Sequence, residues 1–195
     1  MNIRAAEFVK GIKGTDAILA DGVPQIAFVG RSNVGKSSMI NSLVNRIDLV
    51  KTGKKPGKTT EINFFSINHR AFYFVDLPGY GYSEMRPEAK EKIQKLIYWY
   101  LNGSGARPLC VVLILDIKAG LTDFDKETIQ LLHQQGHPYI IVANKVDKVS
   151  QKEAAAEIAL IKTEAFGQDV VAYSAKEGRG REALLEKLLG GSSKT

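Results

Sequence analysis

The chain has 195 residues, of which 44% are hydrophobic and 25% charged, and its formal net charge at pH 7 is +6. This composition is typical of one globular domain, and the modest basic excess is compatible with an RNA partner without requiring one. A single cysteine, Cys110, excludes a disulfide framework and favours a reducing compartment. The longest apolar run, residues 109–115, is too short to span a bilayer, so the sequence predicts a cytoplasmic protein.

The chain begins with a weakly alternating apolar leader, residues 1–24, which we expect to pack against the domain. An apolar run at 25–29 predicts a strand, and residues 39–46 predict a helix with one apolar face. Between them lies a segment with the GxxxxGK[ST] phosphate-binding pattern, made up of Gly30, Arg31, Ser32, Asn33, Val34, Gly35, Lys36, Ser37 and Ser38. Its backbone N–H groups can surround a phosphate, Lys36 can reach the β- and γ-phosphates, and Ser37 can bind Mg²⁺. A glycine-rich turn without a ligand is the alternative.

Residues 47–61 lack periodicity and contain two glycines, one proline and four lysines, which predicts a loop beside the phosphate site. The loop and the residue before it carry a basic cluster made up of Arg46, Lys51, Lys54, Lys55 and Lys58. These cations can supply sequence-independent affinity for RNA, or they can balance the charge of the nucleotide. Residues 62–67 and 71–75 then predict a hairpin, which places one antiparallel strand in the sheet.

The hairpin is followed by a second candidate site segment, made up of Asp76, Leu77, Pro78 and Gly79. Ligands of open α/β sheets lie beyond the carboxyl ends of the strands. Asp76 can therefore hold Mg²⁺ through a water, and the Gly79 N–H can donate to a γ-phosphate. A simple strand-to-loop turn is the alternative. A helix at 86–101 comes next, with Trp99 expected to pack in the core rather than stack on a ligand.

Strands and helices alternate regularly in the second half of the chain. Strands are predicted at 109–115, 139–143 and 170–173, and helices at 123–135, 150–166 and 180–189. This alternation predicts an α/β fold with a doubly wound, mostly parallel six-stranded sheet, one antiparallel strand and helices on both faces. We expect one domain over residues 25–189 and a disordered tail at 190–195. His133 and His137 flank a helix end, where we expect them to face solvent.

Two further clusters follow strands and point to guanine. The first is Asn144, Lys145, Val146 and Asp147, and the second is Tyr173, Ser174, Ala175 and Lys176. Asp147 can accept hydrogen bonds from the N1–H and the exocyclic amine of guanine, a donor pair that adenine lacks. Asn144 can fix the loop and the base edge, and the Lys145 stem can lie against the purine. The second cluster can offer a backbone N–H to guanine O6.

The set of motifs resembles the G motifs of small GTPases related to translation factors. More narrowly, GRSNVGKSS at 30–38, KPGKT at 55–59 and FVDLPGYGY at 74–82 resemble the EngB/YihA/YsxC family of bacterial ribosome-biogenesis GTP-binding proteins, among the TrmE-Era-EngA-YihA-septin-like GTPases. The resemblance covers residues 25–189. It implies a P-loop GTPase that needs Mg²⁺, converts GTP to GDP and phosphate, and acts in assembly of the large (50S) ribosomal subunit. It also implies a requirement for normal septation and cell division.

The resemblance also assigns roles to individual residues. It places nucleotide contacts in the loop at 47–61, which we call the first loop, at Gly57, Lys58, Thr59, Thr60 and Glu61. Thr59, with Thr60 as the alternative, completes a Mg²⁺ shell with Ser37 and Asp76. An asparagine at the position of Asn33 helps related GTPases hold K⁺ beside the phosphates, although a turn residue is the alternative. The catalytic set is therefore Lys36, Thr59, Gly79 and Asn33.

Tyr80 departs from the Ras-like pattern, in which a glutamine that orients the attacking water follows the DxxG glycine. We therefore predict slow unassisted hydrolysis and stimulation by the assembling ribosome. Alternatively, Tyr80 and Tyr82 are surface contacts of a loop.

The expected partners are GTP or GDP and a large-subunit precursor, including its rRNA and proteins, with no membrane and a monomeric chain. The alternative function is a GTP-dependent placeholder on pre-ribosomal particles whose hydrolysis is incidental. A P-loop kinase or ATPase is disfavoured by residues 144–147, and a septum-bound structural GTPase by the lack of an anchor.

Overall fold

The computed structural model describes residues 3–50, 61–81 and 86–190. Its strands are β1 (Ala6–Ile12), β2 (Gln25–Gly30), β3 (Ile62–Ile67), β4 (Phe72–Asp76), β5 (Cys110–Asp116), β6 (Tyr139–Asn144) and β7 (Val170–Ala172). Its α-helices are α1 (Lys36–Leu43), α2 (Pro87–Tyr98), α3 (Asp123–Gln134), α4 (Gln151–Glu164) and α5 (Arg181–Leu189). All of these strands join one sheet in the spatial order β1-β3-β4-β2-β5-β6-β7.

The sheet is mostly parallel. β4, β2, β5, β6 and β7 pair in parallel, whereas β3 is antiparallel to both of its neighbours, β1 and β4. The predicted α/β fold with one antiparallel strand is confirmed. The predicted count of six strands is wrong, because the described residues form a seven-stranded sheet whose edge strand, β1, comes from the leader.

The hydrophobic pattern of β1 is weak because most of the strand is exposed at the sheet edge. Ile12 is buried, whereas Phe8 is 56% and Val9 43% exposed. Backbone pairing defines the strand instead, with a register that runs from Ala6 opposite Ile67 to Ile12 opposite Ile62. The leader therefore extends the sheet beside the hairpin. Of the tail predicted at 190–195, Gly190 is the C-terminal cap of α5, and residues 191–195 lie outside the described residues.

The core has two halves, one on each face of the sheet. All residues of β2 are buried, and Ile26 and Phe28 pack on the side of α1 and α5. Ala27 and Val29 pack on the opposite side, which α2, α3 and α4 cover. This alternation follows the period of two residues in a strand, and a central strand that is covered on both faces reads as a continuous apolar run. The predicted helices on both faces are confirmed.

Short-range signals define the helix ends. Thr122 and Asp125 form a capping box at the start of α3, and Ser150 and Glu153 do the same for α4. A π-helical turn, Trp99–Gly103, extends α2. Trp99 is partly buried against the core, as predicted.

The two histidines near the end of α3 differ in environment. His133 is exposed, and its ring stacks on Phe166 with 4.7 Å between the ring centroids. His137 is only 8% exposed, and its Nε2 lies 2.6 Å from the Leu101 carbonyl oxygen. The expectation that His137 faces solvent is wrong, because a backbone carbonyl satisfies the polar ring inside the fold.

Candidate nucleotide-binding site

The phosphate-binding segment forms the turn between β2 and α1, as the sequence predicts. Gly35 has φ = 97°, in the left-handed region that favours glycine, and an added Cβ would collide with the Asn144 amide. A Cβ on Gly30 would lie 2.6 Å from the Ile114 carbonyl oxygen. Neither position of the pattern therefore has room for a side chain, which explains why both are glycine.

Backbone hydrogen bonds hold this turn against the start of α1. The Val34 N–H donates to the Arg31 carbonyl over 3.2 Å, and the Met39 N–H donates to the Gly35 carbonyl over 2.8 Å. An α-helix has no internal acceptors for the N–H groups of its first turn. Lys36 and Ser37 lie in that turn, where N–H groups and the helix dipole favour an anion such as phosphate.

Lys36 and Asp76 form an ion pair at the centre of the site. The Lys36 Nζ contacts Asp76 Oδ1, and the two residues are 8% and 1% exposed. A buried carboxylate needs a compensating positive charge. A bound phosphate would compete for Lys36, and Asp76 would then require another cation.

The oxygen donors near this pair fit Mg²⁺. Ser37 offers a hydroxyl in the first turn of α1, and Asp76 offers a buried carboxylate at the end of β4. Magnesium prefers oxygen ligands, commonly one or two protein groups together with phosphate and water. The described residues hold no cluster of three or more His, Cys, Asp or Glu side chains with metal-binding geometry.

The segment after β4 packs directly on the phosphate-binding turn. The Ser32 N–H donates to the Tyr80 carbonyl over 2.7 Å, and the Ser32 hydroxyl donates to the Gly79 carbonyl over 3.2 Å. Tyr80 is 2% exposed, and its hydroxyl donates to Asp125. The alternative that Tyr80 is a surface contact is wrong, whereas Tyr82 lies outside the described residues.

Asn144 connects the phosphate-binding turn to the second guanine cluster. It is 1% exposed at the end of β6. Its Nδ2 donates to the Val34 carbonyl over 2.8 Å, and its Oδ1 accepts from the Ala175 N–H over 3.1 Å. The same side chain thus fixes the segments proposed to bind the phosphates and the base.

Lys145, the residue after Asn144, makes a second connection to the phosphate-binding turn. Its Nζ donates to the Asn33 carbonyl and to Asp116 Oδ2, each over 2.7 Å. Sequence analysis missed Asp116, the last residue of β5. Its position at a carboxyl strand end, next to that of β6, is the signal that could have identified it.

Asp147 is held in its ionised form by its neighbours. Its Oδ1 accepts a hydrogen bond from the Ser174 hydroxyl over 2.7 Å. This bond is the main cause that lowers the pKa of Asp147, and the charges of Lys148 and Lys176 act in the same direction. Ser174 is fully buried, and the Val146 N–H donates to the Tyr173 carbonyl over 3.2 Å, so both clusters form one unit.

The remaining predicted contacts are in the first loop. Gly57, Lys58, Thr59 and Thr60 lie outside the described residues. Glu61 lies just before β3, and its Oε1 is 3.3 Å from the Lys13 Nζ of the leader. The structure thus brings together the predicted residues of the turn, of the segment after β4 and of both guanine clusters.

Known proteins match both the sequence and the fold. Residues 25–145 match the family described as "50S ribosome-binding GTPase", and residues 102–191 match the elongation factor Tu GTP binding domain. The chain is 42% identical to the probable GTP-binding protein EngB of Desulforamulus reducens, with 96% of this chain and 93% of that protein covered. It is also 42% identical to the EngB protein of Chlorobium phaeobacteroides, with 96% and 97% covered.

A solved structure of a probable GTP-binding protein EngB has the same fold. The TM-score is 0.73 at 28% identity, and the alignment covers 85% of this chain and 97% of that one. None of the helices in the described residues is long and apolar enough to cross a membrane. The chain belongs to the EngB family of GTP-binding proteins and is a GTPase.

Proposed function

We propose that the protein is a GTP-driven switch in the assembly of the large (50S) ribosomal subunit. The observation that carries this proposal is the connection through Asn144 between the phosphate-binding turn and the guanine clusters. The description of the matched family, "50S ribosome-binding GTPase", supports the choice of particle.

In this proposal the phosphate end of the site distinguishes GTP from GDP by the γ-phosphate. Lys36 neutralises the β- and γ-phosphates, and the Gly79 N–H donates to the γ-phosphate. Ser37, Asp76 and Thr59, with Thr60 as the alternative to Thr59, hold Mg²⁺, which supplies positive charge at the phosphate oxygens. Loss of the γ-phosphate removes the contacts to Gly79 and Thr59, which releases the switch.

The base end selects guanine. The Asp147 carboxylate accepts from the N1–H and the exocyclic amine, and its lowered pKa keeps it ionised for this task. Adenine lacks this pair of donors and would leave the carboxylate without its two hydrogen bonds to the base, at a cost of ~1–3 kcal/mol or more. The Lys145 stem covers the purine, and residues 173–176 surround its O6 edge.

Hydrolysis without an activator is slow in this proposal. The hydroxyl of Tyr80 donates to Asp125, so this position supplies no side chain to orient the attacking water. Asn33, which is exposed and has φ = 66°, is proposed to hold K⁺ beside the phosphates. GTPase rates that are equal in KCl and NaCl would contradict the K⁺ role, and rapid hydrolysis by the purified protein would contradict the slow basal rate.

The proposed partner is a precursor of the large subunit, bound by a monomer in the cytoplasm. The basic cluster at 46–58 is proposed to contact rRNA, because lysine and arginine supply affinity for the phosphate backbone. Such binding must weaken as the salt concentration rises. The requirement for cell division follows, in this proposal, from a reduced supply of ribosomes.

Co-sedimentation with large-subunit precursors tests the proposal. The protein is incubated with the particles in a non-hydrolysable GTP analogue, in GDP or without nucleotide. We expect association with the analogue and release in GDP. Equal association in all three conditions would contradict a nucleotide-driven switch, and association with mature small subunits alone would contradict the assigned particle.

The Tyr80 hydroxyl is bonded to Asp125 and so does not orient the attacking water. This observation also favours a second function, a GTP-dependent placeholder whose hydrolysis is incidental. A hydrolysis-deficient variant separates the two functions. It stays on the particle and blocks assembly if hydrolysis triggers release, whereas it still supports assembly if the protein is a placeholder.

A further inference from the structure

The side chain of Tyr80 is inside the core, although its backbone lies in the nucleotide site. Its ring lies against Phe124, with 4.4 Å between the ring centroids, and its hydroxyl donates to Asp125 Oδ1. Burial, and next the Asp125 carboxylate, raise the pKa of Tyr80 well above its usual value. The protonated hydroxyl is the donor in this contact, and the Asp125 carboxylate is the acceptor.

Asp125 serves two different partners with its two oxygens. Oδ2 accepts from the N–H of Thr122 over 2.8 Å and also from its hydroxyl, which completes the cap of α3. Oδ1 accepts from Tyr80, which lies 45 positions earlier in the chain. The cap needs only Oδ2, so the bond to Tyr80 requires a separate explanation.

The Tyr80 backbone gives that explanation. Its carbonyl accepts from the Ser32 N–H over 2.7 Å, and a Cβ on Gly79 would lie only 3.1 Å from the Ser32 hydroxyl oxygen. The backbone from the Gly79 Cα to the Tyr80 carbonyl, which directly follows the Gly79 N–H, is thus packed against the phosphate-binding turn on one side. On the other side the Tyr80 side chain attaches it to α3.

We propose that Asp125 is a positioning residue for recognition of the γ-phosphate, because through Tyr80 it fixes the backbone that directly follows the Gly79 N–H. This inference rests on the role proposed above for Gly79. A donor that is held in place before binding loses less conformational freedom when the ligand arrives. GDP has no γ-phosphate, so the advantage applies to GTP alone, and the start of α3 becomes part of the switch.

Tyr80→Phe tests this inference, since it removes one hydroxyl and keeps the ring on Phe124. We expect the variant to bind a non-hydrolysable GTP analogue about tenfold more weakly in Mg²⁺, with its affinity for GDP within about twofold of wild type. Asp125→Asn keeps an acceptor for Tyr80 but loses the charge, and we expect a shift of about threefold in the same direction.

Thr122→Ala is the matched control. It removes a hydroxyl that bonds to Asp125 Oδ2 and keeps the Thr122 N–H that donates to the same oxygen, so we expect the contact between Tyr80 and Asp125 Oδ1 to remain. We expect a lower melting temperature and an unchanged ratio of analogue affinity to GDP affinity. Melting temperatures of all variants, measured without nucleotide, separate a folding defect from a loss of recognition.

The inference is overturned if Tyr80→Phe leaves the affinity ratio unchanged, weakens both nucleotides equally, or shifts the ratio no more than Thr122→Ala does. If Tyr80→Phe does not fold, the same comparison applies to Asp125→Asn. A wild-type protein that binds the analogue no differently from GDP would instead contradict the proposed role of Gly79.

Discussion

Asn144→Ala should weaken the binding of GTP and GDP equally. The substitution removes the donor to the Val34 carbonyl and the acceptor for the Ala175 N–H, at a site that is 1% exposed. Each such bond contributes ~1 kcal/mol net, so their loss costs ~2 kcal/mol. Because Asn144 joins the phosphate-binding turn to the guanine clusters, we expect this cost in nucleotide affinity, as a decrease of about 30-fold for both nucleotides.

The assay is competition of GDP and of a GTP analogue against a fluorescent guanine nucleotide. Asn41→Ala is the matched control, since Asn41 is 5% exposed and bonds to the backbone of Ile47 and Val50, away from the guanine clusters. It should lower the melting temperature and leave GDP affinity within about threefold of wild type. An Asn144→Ala protein that binds both nucleotides normally, or that loses only the GTP analogue, would contradict the role of Asn144 as a connection between the two ends of the site.

Three further predictions concern single side chains. Asp116→Asn removes the charge that pairs with Lys145, so GDP should dissociate about threefold faster with little change in melting temperature, as measured by stopped-flow fluorescence. Ser174→Ala should raise the pKa of Asp147; because the ionised carboxylate binds guanine only above its pKa, GDP affinity measured against pH should fall at a higher pH than in wild type. Burial raises the pKa of Cys110 to about 12, so alkylation by iodoacetamide at neutral pH should be slow until the protein unfolds.

Much of the fold could be predicted because its signals are local. The apolar runs of β2, β5 and β6 are buried on both faces, and Thr122 and Ser150 mark helix starts within a few residues. β1 could not be predicted in the same way. It is defined by backbone pairing with β3, whose residues lie 50 or more positions further along the chain, and not by its own side chains.

The residues of the candidate site also divide into those that local sequence identifies and those that depend on distant contacts. Residues in motifs, such as Lys36 and Asp147, could be predicted from the spacing of each motif, because their roles depend on neighbours in the sequence. Asp116 and Asp125 could not be predicted in this way, since their partners, Lys145 and Tyr80, are 29 and 45 positions away. Only the folded arrangement shows that Tyr80 bonds to a carboxylate in the core.

Whether the bound guanine nucleotide controls association with the particle is tested with Asp147→Asn in the co-sedimentation assay with large-subunit precursors. Asparagine replaces one acceptor oxygen with an NH₂ donor, which complements xanthine, whose C2 carries an oxygen in place of the amine of guanine. We expect the variant to associate with precursors in a non-hydrolysable XTP analogue and not in the GTP analogue, whereas wild type shows the reverse. A variant that still responds to the GTP analogue as wild type does, or that associates regardless of nucleotide, would contradict this expectation.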